Sequence, residues 1–91
     1  MKAEIVGKRM RTSVNKETGE VRDFNELHYV EFKEMRPNSK EEQCTGRKAG
    51  FIMTGIDLKN INVGEIYHLE FEVRKFREET TLRLADIEPL E

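Results

Sequence analysis

The sequence predicts an all-β domain, on three observations. Apolar and polar residues alternate over several runs, most clearly in "IYHLEFEVRKF", where Tyr67, Leu69, Phe71 and Val73 fall on one side and His68, Glu70, Glu72 and Arg74 on the other. Glycine and asparagine punctuate the chain between those runs, at Asn15, Gly19, Gly46, Gly55 and Gly64. No stretch reads as a long helix.

The first strand is "KAEIVGKRMRT", with Ala3 and Ile5 on one face and Gly7 expected at a bend or bulge, where a missing side chain lets a sheet curve. "NKETGEVR" is a hairpin turn opened by Asn15, with Gly19 free to take positive φ. "NELHYVEFKEM" follows as the second strand, Leu27 and Tyr29 on one face and Val30 and Phe32 on the other. Residues 36–47, "RPNSKEEQCTGR", lack an apolar period and read as an exposed loop with room for one helical turn. "KAGFIMTGIDL" is the third strand, and "KNINVGE" a turn with Gly64 at positive φ. "IYHLEFEVRKF" is the fourth. "TTLRLADIEPL" is the fifth, with Leu82 and Leu84 on one face and Ala85 and Ile87 on the other, which calls for a bulge near Leu84 or Ala85; Pro89 ends its pairing.

Five strands in a single domain spanning residues 1–91 fit a small Greek-key barrel of the OB type better than a sandwich of about seven strands, with an SH3-like barrel as the rival. The core of such a small domain is marginal. Tyr67, Phe71 and Phe51 are expected inside it; Phe24, Tyr29 and Phe76 are the aromatics expected outside.

Composition excludes several classes. No apolar run approaches the roughly 20 residues of a membrane helix, and "MKAEIVGK" lacks a signal peptide's apolar centre, so a cytoplasmic location is expected. Cys44 is the sole cysteine, which rules out an internal disulfide, and no Cys/His spacing suits zinc. His28 and His68 stand alone and read as structural or surface residues. Ser13 and Ser39 have no nucleophile-elbow context, no phosphate loop is present, and Glu41/Glu42 and Glu78/Glu79 are adjacent carboxylates in loop-like segments. The sequence gives no reason to expect an enzyme, a metal or a cofactor.

Charge and aromatics point elsewhere. The net charge is −2, yet residues 1–22 hold six basic groups against three acidic ones, a net of +3 that leaves −5 for the remainder. Cations and aromatics interleave: Lys8, Arg9 and Arg11 on strand one, Lys16 and Arg22 on the hairpin, Phe24 and Tyr29 after it, Arg47 and Lys48 before Phe51, and Arg74, Lys75, Phe76 and Arg77 at the tip that follows strand four. A cationic groove follows phosphates while aromatic faces stack bases regardless of sequence, so single-stranded DNA is the expected partner, with RNA left open. The competing expectation is a protein-interaction barrel whose cations serve solubility.

Three segments, "NELHYVEF", "VGEIYHLEFEVRKF" and "TLRLADIEPLE", set after "KAEI" and a basic, Gly-containing hairpin, resemble the helix-destabilising single-stranded-DNA-binding proteins of filamentous phages and their plasmid- or phage-borne relatives. The resemblance implies an OB-type barrel that forms a homodimer and coats single strands cooperatively during DNA replication. It further implies phosphate contacts at Lys16 and Arg22, stacking at Phe24 and Tyr29, and Phe76 as an aromatic at the tip of the last hairpin. The acidic "DIEPLE" is a candidate contact for a replication partner. Two departures stand out: the 36–47 loop is longer than the family pattern, and "REET" sets two carboxylates beside Phe76.

Overall fold

The computed structural model describes residues 1–90, apart from the side chain of Phe76. Five strands form one antiparallel sheet: β1 (Lys2–Val14), β2 (Val21–Glu34), β3 (Arg47–Thr54), β4 (Ile66–Phe76) and β5 (Glu79–Pro89). Among the described residues there is no helix, and the 36–46 segment forms only turns and bends. The strands lie in the order β3-β2-β1-β4-β5. The first four thus follow the Greek-key rule, in which a fourth strand returns by a longer connection to lie beside the first. The ladder stops at β3 and β5: these edge strands come within 8 Å of each other between Cα atoms but share no strand pairing among the described residues. The sheet is therefore open, where the sequence led to the expectation of a barrel.

A single sheet buries a core only by curving round it. Tyr29 on β2 and Phe71 on β4 bring their ring centroids to 5.7 Å although β1 runs between them. In a flat sheet two strand spacings would hold their backbones about 10 Å apart. Curvature enters where the sequence lacks bulk or gains a residue: pairing shifts between Ile5 and Gly7 on β1, and Ala85 is the extra residue where Glu70 faces Asp86 and Phe71 faces Leu84. Gly50 serves the same end, because a Cβ there would lie 2.8 Å from the Tyr29 hydroxyl oxygen, so only glycine lets that ring lie across β3.

The core comprises Ala3, Ile5, Leu27, Ile52, Tyr67, Leu69 and Leu84 from the strands, with Leu58 and Ile61 from the 55–65 connection. The third strand ends four residues before Leu58, earlier than its apolar run suggests, and the freed segment folds over the mouth of the sheet. Polar groups fasten it there. Asn25 Nδ2 donates to the Ile56 carbonyl at 2.7 Å, the backbone N–H of Asn62 donates to the Tyr67 hydroxyl at 2.8 Å, and Lys8 Nζ donates to the carbonyls of Leu58 and Lys59 at 3.0 and 3.4 Å.

Two hairpin arms extend from this body. β1 pairs with β4 only over Lys2–Glu4 and Ile66–His68, and because that pairing is antiparallel the β1–β2 and β4–β5 hairpins leave it in opposite directions. The radius of gyration is 16.1 Å, against about 12 Å for a compact chain of this length. The first arm closes through Asn15 and Gly19 (φ 73°), as the sequence suggests. The second closes directly after the run expected as the fourth strand. Phe76 is the last residue of β4, opposite Glu79, and the two-residue turn is Arg77–Glu78, with Arg77 at φ 58°, a conformation that ordinarily favours glycine.

Candidate nucleic-acid interface

Antiparallel partners share a face and successive residues alternate, so the core residues fix which side chains point away from it. Leu27 and Ile52 are paired and face inward. The rows flanking them therefore face outward: Arg9 beside Glu26 beside Met53, and Gly7 beside His28 beside Phe51. Further along the first arm come Arg11 beside Phe24 and Ser13 beside Arg22. Towards the other end of β2 lies Phe32.

This outer face carries a row of aromatic rings. Phe24, His28 and Phe32 recur every fourth residue of β2, about 13 Å apart. Phe51 extends the middle position sideways, its ring stacked on His28 with centroids 5.5 Å apart and an interplanar angle of 24°. Gly7 contributes by absence, since the strand opposite His28 puts up no side chain beside it. Phe51 is 64% exposed and Phe24 40%. The expectation of Phe51 in the core is thereby corrected, while Tyr67 is buried and Phe71 half-buried as expected. Phe32 is flanked by Lys2, whose ammonium sits 4.3 Å from the ring centroid, and by the Arg47 guanidinium at 5.8 Å. Arg47 also pairs with Glu4 at 3.7 Å.

Of the residues singled out in the sequence, Arg9, Arg11, Arg22 and Phe24 come together on this face, with Lys16 on the hairpin loop next to it. Arg22 lies 3.6 Å from Glu20. Most of the others fall elsewhere. Tyr29 points to the core side, where burial, and secondarily Glu31, raises its hydroxyl above the ordinary tyrosine pKa. It is therefore not the open stacking ring that the sequence suggests. Lys48 alternates to the opposite side of β3 from Phe51, lining a groove with Glu31, Lys33 and Cys44. Arg74, Lys75 and Arg77 belong to the β4–β5 arm, where Arg74 is held by Glu72 at 3.3 Å. The side chain of Phe76 lies outside the described residues.

Lys8 has a structural task, because the bulge after Ile5 turns it to the core side opposite Leu27. Lys8→Ala is expected to leave the Leu58 and Lys59 carbonyls without their donor, lowering stability by about 1–3 kcal/mol while the salt dependence of any polyanion binding stays unchanged. Arg9→Ala should do the reverse, leaving the thermal midpoint in place and flattening the plot of log affinity against log salt by roughly 0.7. Thermal melts and salt titrations of the two variants check both statements.

At the centre of the face is an acid. Glu26 Oε2 lies 2.7 Å from His28 Nε2. That hydrogen bond, with help from Arg9 and Arg11 and against a smaller effect of burial, holds the Glu26 carboxyl below the usual carboxylate range. An ionised carboxylate only accepts, so Nε2 carries a proton in either charge state of the ring. The His28 ring is thereby fixed in orientation on Phe51.

His28, Phe32, Met53 and Lys2 complete the face and were not expected as contacts from sequence, while Arg47 and Phe51, both in the series of cations and aromatics, join them there. The fourfold spacing of Phe24, His28 and Phe32 was a readable signal; placing Phe51 and Arg47 on this face needed the strand register. Comparison of the chain with protein-family models, curated proteins and solved structures finds no match.

Proposed function

We propose that this chain binds single-stranded DNA in a sequence-tolerant way, on the outer face of β1, β2 and β3, and serves DNA replication of a phage or mobile element in the cytoplasm. The observation that carries the reading is the exposed row of Phe24, the His28–Phe51 stack and Phe32, lying on one face with Lys2, Arg9, Arg11, Arg22 and Arg47. Exposed rings in register with cations are what stacking of bases and tracking of phosphates require. The strand order and the approach of β3 to β5 support an OB-type barrel opened between its edge strands, a fold that uses its second and third strands and the β1–β2 and β4–β5 loops to hold oligonucleotides.

Self-association belongs to the same reading. Val73 and Leu82 are paired across the β4–β5 arm, on the face that is buried nearer the body, yet both are exposed here. An apolar pair left open on a projecting hairpin suits a second copy of the chain.

The test is fluorescence anisotropy of labelled oligothymidine and of a duplex of equal length at two salt concentrations. Binding of the single strand that weakens steeply with salt is the expected result. No shift at low salt with tens of micromolar protein sinks the proposal and favours a protein-interaction module.

A further inference from the structure

An acid inside a face meant for a polyanion calls for an explanation. Glu26 stands two residues from His28 on the same side of β2, about 7 Å along the strand. Its side chain is 19% exposed, and Oε2 is taken by His28 while Oε1 accepts no hydrogen bond among the described residues. Arg9 and Met53 flank it across the two neighbouring strands. The carboxylate is thus fixed beside an aromatic platform, with one oxygen left to accept.

Resting on the reading above, we propose that Glu26 reads the edge of the base stacked on the His28–Phe51 pair and favours bases that carry an exocyclic amino group. Cytosine presents an N4 amino group as a donor, and a carboxylate accepts from it; adenine presents N6 in the same way. Thymine presents O4, an acceptor, which meets the carboxylate as one lone pair meets another. His28 takes part by holding Oε2, so the free oxygen keeps one direction. The cations of the face bind phosphate whatever the base, so the effect of Glu26 is a preference laid over general binding.

Cytosine and thymine stack with similar areas, which makes their comparison the clean one. Binding of oligodeoxycytidine and oligothymidine of the same length is measured at pH 7.5 and fixed salt, for the unaltered chain and for Glu26→Gln. The unaltered chain should hold the cytidine oligomer about five- to tenfold tighter. Glu26→Gln, which removes a negative charge and gains a donor, should bind both more tightly and bring the ratio within twofold, with thymidine gaining more. Equal affinities in the unaltered chain overturn the inference, and salt-dependent binding of both oligomers would then leave the proposed function standing. A cytidine preference that persists in Glu26→Gln also overturns it. Absence of binding to either oligomer overturns both.

Discussion

Phe51→Ala lowers the affinity for oligothymidine about tenfold or more and leaves the thermal midpoint nearly where it was. The two halves of this expectation come from one fact, the 64% exposure of a ring stacked on a histidine. A base laid on an aromatic is worth roughly 1–3 kcal/mol by alanine substitution. An exposed side chain, by contrast, contributes little to the fold, and surface substitutions usually stay within about 0.5 kcal/mol. Phe24→Ala should behave likewise and add to it, since Phe24 lies on β2 four residues from His28, the cross-strand partner of Phe51 on β3. Tyr29→Ala supplies the contrast: its ring packs on Phe71 and over Gly50, so the loss should be in stability first. Anisotropy titrations paired with thermal melts of the three variants separate these outcomes. Unchanged affinity in both Phe51→Ala and Phe24→Ala would move the binding site off this face.

The different standing of Phe51 and Tyr29 shows where the sequence was legible. Alternation was clean in β4, so Tyr67 and Leu69 could be placed inside from their spacing alone. The glycine positions were equally direct, because positive φ at Gly19 and Gly64 and the irregularity before Gly7 follow from what only glycine does cheaply. β3 is different: Phe51, Ile52 and Met53 are all apolar, and a continuous apolar run does not say which parity faces the core. Register decides it, through the pairing of Ile52 with Leu27, and register is a long-range property. Lys8 was opaque for a related reason. It stands in a basic run with Arg9 and Arg11, and only the bulge after Ile5 separates the cation that holds the 55–65 segment from the ones that face outward. The end of β4 at Phe76 was legible from its alternation, but the positive φ of Arg77 in the turn was not, since its side chain gives no hint of that conformation.

Leu58→Ala should be more damaging than any of these truncations, although Leu58 lies outside every strand. The residue is wholly buried, and with Ile61 it forms the part of the core that no strand supplies. Truncating a buried leucine to alanine costs about 2–5 kcal/mol through lost transfer energy and the cavity left behind. A chain of this size has a total stability on the order of 5–14 kcal/mol, so the loss is a large fraction of the whole, equivalent to a fall in thermal midpoint of roughly 10–20 °C or more. Relaxation offers little relief, because Lys8, Asn25 and Tyr67 pin the segment on three sides and resist its collapse into the void. Urea unfolding should show a lower midpoint with an unchanged slope. Leu82→Ala removes the same atoms from an exposed site on the arm, and in the separate chain it should cost almost nothing. If two copies bury the Val73–Leu82 pair, however, its effect appears as weaker association and a thermal midpoint that depends more steeply on protein concentration. Equal urea midpoints for Leu58→Ala and the unaltered chain would mean that the 55–65 segment does not close the core.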